Sequence, residues 1–363
     1  MCLQKLRTGF VRIPNRENFS NLTCCSQPLC ATIKSDEKMK IAFRARYGPP
    51  EVLSIKEVET PGPKDNELLI KVYAATVNRS DYHILTGRPF FMRLFIGLFK
   101  PKLPTTGTDF AGQIEAIGKN VTSFKVGDNV MGFDGGLFGI ESHAQYILLP
   151  ETKAIKITVN IPNNLKFEEA AACLEGAFYA AAQVNPLKPK RGQKALVYGA
   201  TGAIGTSYLQ FLKYYGVFTT AVCRVENTDL VTSLGADKVI DYTTDDFTKD
   251  EERYDFVFDA VGKSSFFKCK KLLKKKGGYT SSGGGINLFL LLITPLLGGK
   301  RVFFSFPKAI AAQLNFIKDL VEKGSFRPVI DREYPIDKIA EAYRYVASGQ
   351  KIGNVVIKMD NSK

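Results

Sequence analysis

The feature that most constrains the fold of this chain is the stretch of residues 194–205, KALVYGATGAIG. Its apolar run at 195–198 is typical of a buried parallel strand. Three glycines spaced three residues apart follow this run, and residues 206–215 have a helical composition. A strand, a tight glycine turn and a helix N-terminus together form a site for the pyrophosphate of a dinucleotide. The alternative is a glycine-rich turn without a ligand.

The length and charge of the chain limit its class. A chain of 363 residues favours two domains. The net charge of +14 favours anionic partners, which include phosphorylated cofactors, nucleic acid and acidic lipid. Six lysines lie within residues 268–276, and we interpret them as a solvated helix face and the residues at the end of that helix. The other cations are spread along the chain. We therefore do not expect nucleic-acid binding to be the main role.

Cysteine and histidine usage narrows the chemistry further. Seven cysteines, an odd number, do not indicate a disulfide framework, and they fit a reducing compartment. The only two histidines, His83 and His143, exclude a histidine-rich metal site.

The N-terminal residues 1–38 show no strand or helix periodicity and carry four basic residues before the first acid. We interpret them as a disordered extension, and the alternative is a mitochondrial targeting presequence. The predicted location is therefore cytoplasmic, or mitochondrial if residues 1–38 are a presequence.

Two apolar stretches are too short to span a membrane. Residues 286–297 include Pro295 and fall short of the ~20 residues that a span needs, so we interpret them as core or subunit interface. Residues 90–100, FFMRLFIGLFK, are interpreted as a lid over a substrate mouth. A weak peripheral membrane contact through residues 90–100 is a further hypothesis.

The order of strand and helix signals predicts an α/β chain of two domains. Short strands separated by glycine turns between residues 40 and 149 indicate a partly open β-barrel, and residues 167–184 indicate one alanine-rich helix. Repeating βα units after the glycine motif indicate a doubly wound parallel sheet. The predicted segments are an extension at 1–38, a catalytic domain at 39–160, a nucleotide-binding domain at 161–307 and a return to the catalytic domain at 308–363.

The strand after the glycine motif indicates which nucleotide is bound. An NAD site places an acid roughly 20 residues beyond the glycines to hold the ribose 2′-hydroxyl. Here the strand ends in Cys223-Arg224, and an arginine suits a 2′-phosphate. The prediction is NADP(H). In the alternative, Arg224 faces solvent and Glu226 serves the ribose.

An ordered series of motifs then identifies a family. They lie at residues 75–81, 107–112, 126–130, 199–205, 233–237, 239–242, 258–262 and 353–356. The series resembles the medium-chain dehydrogenase/reductase superfamily, in its zinc-free quinone oxidoreductase (zeta-crystallin-like) branch, and covers residues 39–359. The resemblance implies a GroES-like, partly open β-barrel domain, a Rossmann domain with a doubly wound parallel sheet, and a homodimer.

The resemblance also predicts a site without metal. Zinc-dependent relatives carry a cysteine in the place of Asn78 and His-Glu in the place of Thr108-Asp109, and this chain lacks their four-cysteine lobe. Without a Lewis acid to polarise an alcohol, the easier chemistry is reduction of an acceptor that is already activated.

The site residues are carried over by resemblance. The polar pocket maps to Asn78, Asp81, Tyr82 and His83. Asn78 is interpreted as a hydrogen-bond partner of the nicotinamide, with a turn residue as the alternative. Because the family has an aromatic hydroxyl where this chain has His83, the proton donor stays open: His83 either protonates an oxyanion or caps the loop. The residues implied to line the cofactor are Gly199, Thr201, Gly202, Ala203, Ile204, Gly205, Arg224, Tyr242, Val261, Gly262 and Asn354.

The leading functional hypothesis is an NADPH-dependent oxidoreductase that delivers hydride to a small quinone or an α,β-unsaturated carbonyl. A second hypothesis is a zinc-independent alcohol or aldehyde dehydrogenase. A third, of a different class, is a cofactor-holding protein that binds lipid or RNA with little turnover.

Overall fold

The computed structural model describes residues 37–135, 139–283, 286–297, 299–304 and 309–359. The predictions for the extension at 1–38 therefore lie almost entirely outside the described residues. In the part of the chain that is described, no helix is long and apolar enough to cross a membrane. Cysteines 173, 223 and 269 are buried free thiols.

The first domain is an antiparallel barrel-like assembly of short strands. Its strands up to residue 160 are β1 (Lys38–Phe43), β2 (Ser54–Glu59), β3 (Glu67–Thr76), β4 (Asp109–Ile117), β5 (Asn129–Phe133), β6 (Tyr146–Pro150) and β7 (Thr158–Asn160). Strand β3 is central because it pairs with both β4 and β6, and apolar side chains on it such as Leu68 and Ile70 are buried in the core. The predicted partly open β-barrel is confirmed.

Three helices of this domain connect the strands: α1 (Arg79–Thr86), α2 (Arg93–Ile96) and α3 (Glu151–Ile157). Helix α1 begins directly after β3 because the backbone N–H of Asn78 donates to the Asp81 carboxylate at 2.8 Å, as in a capping box. It ends at Gly87, which adopts a left-handed conformation. This arrangement sets the Asn78–His83 stretch at the end of the central strand.

The second domain is a six-stranded parallel sheet with helices. Its strands are β8 (Lys194–Tyr198), β9 (Phe218–Cys223), β10 (Lys238–Asp241), β11 (Tyr254–Asp259), β12 (Leu273–Ser281) and β13 (Arg301–Val302). The spatial order β10-β9-β8-β11-β12-β13 is that of a doubly wound dinucleotide-binding sheet, as predicted. Its helices are α6 (Ala203–Tyr214), α7 (Thr228–Ser233), α8 (Phe266–Cys269) and α9 (Ile286–Ile293).

The alanine-rich stretch at 167–184 forms two helices, so the prediction of a single helix is wrong. Helix α4 (Phe167–Ala172) ends at Cys173, and α5 (Glu175–Val184) begins after Leu174, whose backbone leaves the helical region. The break places Glu175 in the first turn of α5, where its carboxylate accepts hydrogen bonds from two hydroxyls of the other domain. These long-range contacts override the local helix propensity.

The lysine-rich stretch is also placed differently from the prediction. Lysines 274–276 lie in β12 rather than at the exit of a helix. They are exposed, and the pairing of β12 with β11 is irregular opposite them. The predicted solvation of these lysines therefore holds, although the secondary structure does not.

The last part of the chain reaches both domains. Helix α10 (Ile310–Glu322) packs against α5, whereas β14 (Ile330–Pro335), α11 (Ile339–Ser348) and β15 (Asn354–Lys358) join the barrel domain. Strand β15 pairs antiparallel with β3, and Gly353 just before it forms a parallel bridge to Gly202. The chain thus brings its C-terminal strand against the glycine loop.

Candidate active site

The glycine loop joins β8 to α6. Gly199 has φ +78°, and a Cβ there would collide with the Val261 side chain, so the turn requires glycine. A Cβ at Gly205 would collide with the Gly199 carbonyl oxygen, so close packing of helix and strand requires glycine there too. At Gly202, by contrast, the nearest atom to an added Cβ is 3.9 Å away. The loop is therefore open where α6 presents its N-terminal N–H groups.

The beginning of β15 is fixed to this loop. The N–H of Gly353 donates to the Thr201 carbonyl at 2.7 Å. Asn354 is buried, and its side-chain amide donates to the Val329 carbonyl at 3.1 Å. Asn354 therefore lies beside the loop, as the resemblance implies, with one amide hydrogen already used within the protein. Ala203 is buried in the first turn of α6, and Ile204 is half-buried next to it.

Arg224 and Tyr242 form a pair at the carboxyl ends of β9 and β10. The Arg224 Nε donates to the Tyr242 hydroxyl at 3.0 Å, and both side chains are exposed. Glu226, the alternative ribose ligand, is also exposed and contributes an attractive charge to Arg224. Because the carboxyl ends of parallel strands meet at one edge of a sheet, this pair lies on the same edge as the glycine loop.

The loop after β11 completes this edge, and Asp259 holds it in place. One oxygen of the buried Asp259 carboxylate accepts from the N–H groups of Val261 and Gly262 at 3.1 and 2.7 Å. The other accepts from the Ser264 N–H at 2.9 Å and the Tyr279 hydroxyl at 3.1 Å. The structure thus brings all the segments predicted to line the cofactor to one edge. Asp259 is a supporting residue that the sequence showed only as part of a motif.

Asn78 and Asp81 are buried, and their contacts are internal. The Asn78 side-chain amide donates to the Thr76 hydroxyl at 2.6 Å and to the Asp109 carboxylate at 3.1 Å. The Asn78 amide also interacts with the Glu175 carboxyl group. The contacts therefore favour a role for Asn78 at the start of α1, and its predicted bond to a nicotinamide stays a prediction.

Tyr82 and His83 are half-buried on α1. Tyr82 packs against the barrel core. The His83 carbonyl accepts from the N–H groups of Gly87 and Arg88, so its backbone closes the end of the helix, while its Nδ1 atom is buried without a hydrogen-bond partner. Burial lowers the pKa of His83, with a smaller contribution from Arg79 in the same direction. The imidazole is therefore neutral at neutral pH and a poor proton donor.

A buried cluster of three carboxyl groups, Asp81, Asp109 and Glu175, lies beside these residues. Asp109 accepts from the backbone N–H of Thr76 at 2.7 Å and from the Thr76 hydroxyl. Glu175 accepts from the Ser80 hydroxyl at 2.6 Å and from the Thr108 hydroxyl at 2.9 Å. One oxygen of Asp81 is buried without a partner. We call these three residues the carboxyl cluster.

Burial dominates the electrostatics of the carboxyl cluster. It raises the pKa of Asp109 to about 8 despite the hydrogen bonds from Thr76 and Asn78. Burial, followed by repulsion from Glu175 and Asp109, raises the pKa of Asp81 well above its ordinary value, and burial also raises the pKa of Glu175. Lys351, an attractive charge to Glu175 and Asp109, has its own pKa lowered by burial to about 8. The cluster therefore retains at least one proton at neutral pH.

The carboxyl cluster adjoins the glycine loop. A Cβ at Gly176, next to Glu175, would lie 2.7 Å from the Ala203 Cβ at the start of α6. The Lys351 ammonium donates to the Gly353 carbonyl at 2.6 Å.

Sequence reasoning missed Glu175 and Lys351. The one signal for Glu175 was a single acid within the apolar stretch 170–182.

His143 belongs to the core rather than to a metal site. Its Nε2 lies 3.0 Å from the Thr76 carbonyl and therefore carries the proton, and its Nδ1 lies 2.9 Å from the Thr106 hydroxyl. Burial lowers the pKa of His143 to about 4. Among the residues that the structure describes, no group of three histidine, cysteine or acidic side chains is placed to hold a metal ion.

Comparisons with known proteins agree with this architecture. A family model described as alcohol dehydrogenase GroES-like domain matches residues 64–159, and one described as zinc-binding dehydrogenase matches residues 234–357. The 2-methylene-furan-3-one reductase of Solanum lycopersicum is 30% identical, over 94% of this chain and 87% of its own. The NADPH-dependent alkenal/one oxidoreductase of Arabidopsis thaliana, a chloroplastic protein, is 27% identical, over 98% and 88%.

A solved structure shows the same fold. The quinone oxidoreductase from Coxiella burnetii superposes with a TM-score of 0.79 at 25% identity, covering 89% of this chain and 99% of that one. A GroES-like barrel joined to a doubly wound nucleotide-binding sheet defines the dehydrogenase class of oxidoreductases. Within it, the chain belongs to the medium-chain dehydrogenase/reductase superfamily, in the quinone oxidoreductase branch.

Proposed function

We propose that the protein is a zinc-independent, NADPH-dependent oxidoreductase that reduces quinones or α,β-unsaturated carbonyls. The observation that carries the proposal is the contact between an open glycine loop and a buried carboxyl cluster that retains a proton. The relatives named above are a furanone reductase, an alkenal/one oxidoreductase and a quinone oxidoreductase, and their names support this substrate range.

The residues present fit a phosphorylated dinucleotide. The open space at Gly202 lets backbone N–H groups approach a pyrophosphate. The exposed Arg224 guanidinium, oriented by Tyr242, suits a 2′-phosphate. Bound NADPH supplies the hydride for the reaction.

The chain's own residues supply the proton. Reduction of a quinone consumes one hydride and one proton, and the same holds for reduction of an enone. The half-buried Ser80 hydroxyl is bonded to Glu175 and stands between the carboxyl cluster and the surface of α1. We assign to Ser80 and Glu175 the transfer of this proton, because neutral His83 is a poor donor.

We also propose that the reaction needs no metal, since Asn78 and Thr108 take the places of zinc ligands.

We propose a homodimer as well, with α9 and the turn after it as a contact face, because Phe289, Leu292 and Leu296 are exposed there. A cytoplasmic location remains our proposal, with the mitochondrion as the alternative if residues 1–38 are a presequence.

The proposed function is tested by following NADPH oxidation with a small quinone, an enone and, in the reverse direction, a primary alcohol with NADP⁺. We expect turnover with a quinone or an enone, no turnover with the alcohol, and no loss of activity after treatment with a chelator. Turnover with the alcohol would support a dehydrogenase instead. Tight NADPH binding without any turnover would support a cofactor-holding protein.

The assigned proton transfer predicts a pH dependence. A group that donates a proton works below its pKa, so kcat for quinone reduction should fall as the pH rises through the raised pKa values of the carboxyl cluster, of which that of Asp109 is about 8. Glu175→Gln removes the carboxyl group to which the transfer is assigned, so it should lower kcat below that pH about 100-fold and flatten the profile. Glu168→Gln, on α4 beside Lys358, is the control and should leave kcat and its pH profile unchanged. An unchanged profile in Glu175→Gln would contradict the assignment.

A further inference from the structure

We propose that residues 88–102 form a docking surface for an acidic lipid bilayer. We call this segment the 88–102 platform. It follows α1 and contains α2. The proposal does not depend on the reaction that the protein catalyses, because it rests on the exposure, order and charge of the segment.

The 88–102 platform exposes an unusual amount of apolar surface. Six large apolar side chains within ten residues are between 42% and 89% exposed: Phe90, Phe91, Leu94, Phe95, Leu98 and Phe99. Single exposed apolar residues are ordinary on a protein surface, but a contiguous group of this size marks an interaction site.

The backbone of the platform is held in place, which argues against a lid that has simply been left open. Ile96 is 3% exposed and anchors α2 in the protein. The Tyr47 hydroxyl donates to the Gly97 carbonyl at 2.7 Å. The Arg93 guanidinium donates to the carbonyls of Gly87 and Thr86 at 3.1 and 3.3 Å and lies over the Tyr47 ring. The apolar side chains are thus presented on a fixed base.

The charge around the platform identifies the partner. No aspartate or glutamate occurs at positions 82–108, whereas four cations do. Of these, Arg88, Lys100 and Lys102 are exposed, and so is Arg46 beside Tyr47. Apolar side chains flanked by cations bind the interface of bilayers that contain anionic lipid. The platform of a second copy of this chain would carry the same positive charge, so a contact between two platforms is disfavoured by electrostatic repulsion.

The test is co-sedimentation of the full chain with vesicles of phosphatidylcholine alone or with about 30% phosphatidylserine. We expect binding to the acidic vesicles that weakens with added salt. Phe90→Ser with Phe99→Ser should lower the partition coefficient at least about tenfold, through lost apolar burial. Arg88→Gln with Lys100→Gln should lower it about 25-fold, at about fivefold per cation.

The matched control is Ile155→Ser with Phe267→Ser, because these side chains are 50% and 64% exposed and lie outside the platform. This control should bind like the parent protein, and circular dichroism should show all three variants folded. The proposal is overturned if the parent ignores acidic vesicles, or if platform and control variants lose binding equally. It is also overturned if the Phe90/Phe99 variant lowers the sedimentation coefficient of the vesicle-free protein, since the platform would then be a contact between copies.

Discussion

Replacing Arg224 by alanine is expected to weaken NADPH binding about 10- to 100-fold and NADH binding by less than about threefold. The guanidinium is exposed at the end of β9 and oriented by the Tyr242 hydroxyl, where a 2′-phosphate is bound in this fold. NADH has no such phosphate and loses nothing with the arginine. The measurement is the dissociation constant of each coenzyme by fluorescence titration.

Two further variants separate the alternatives at this position. Glu226→Ala should leave NADPH binding unchanged or slightly tighter, because a negative charge near the phosphate is removed. Arg224→Lys should retain part of the preference for NADPH, since the charge remains without the bidentate geometry. Equal losses of both coenzymes in Arg224→Ala, together with weaker NADH binding in Glu226→Ala, would instead assign Glu226 to the ribose of NADH.

Replacing Asp109 by alanine is expected to lower the free energy of unfolding by about 2–4 kcal/mol. The buried Asp109 carboxyl group accepts from the Thr76 N–H, the Thr76 hydroxyl and the Asn78 amide. Alanine offers these donors no acceptor, so they would be left unsatisfied in the interior whether or not Asp109 carries a proton in the parent protein. Chemical denaturation of the parent and the variant measures the difference.

The control for this variant is Asp246→Ala. Asp246 also accepts from a threonine N–H and from the hydroxyl of the same threonine, Thr248, at 3.0 and 2.7 Å, but its side chain is exposed. Water can satisfy the groups left free, so the expected cost is below about 1 kcal/mol. If the two variants cost the same, burial of the Asp109 network would not be the source of its stabilisation.

The parts of the fold that the sequence predicts well are those set by local patterns. The glycine spacing, the apolar strand before it and the arginine at the end of the next strand locate the nucleotide edge without knowledge of the fold. Steric contacts then account for the glycines: Gly199 and Gly205 have no room for a side chain, and Gly202 leaves an open space. The glycine positions singled out in the sequence are therefore explained by the steric contacts at this edge of the sheet.

The carboxyl cluster could not be predicted, because it depends on contacts between distant parts of the chain. Ser80 and Glu175 are 95 residues apart, and Lys351 comes from the loop before the last strand. The break at Leu174 that places Glu175 is likewise a tertiary effect in a stretch of high helix propensity. The sequence located residues 90–100 as apolar, but only the fold shows that Ile96 is buried and six of its neighbours are exposed.

The measurement that tests the account most directly is a calorimetric titration of the metal-free, full-length protein with NADPH. We expect one NADPH to bind per chain, and to bind more tightly than NADH does. Gly205→Val should abolish this binding, because the new side chain would be forced against the Gly199 carbonyl. Circular dichroism checks that this variant is folded. The absence of any heat of binding, or binding that appears only after zinc is added, would contradict the assignment of a metal-free NADPH site beside the carboxyl cluster.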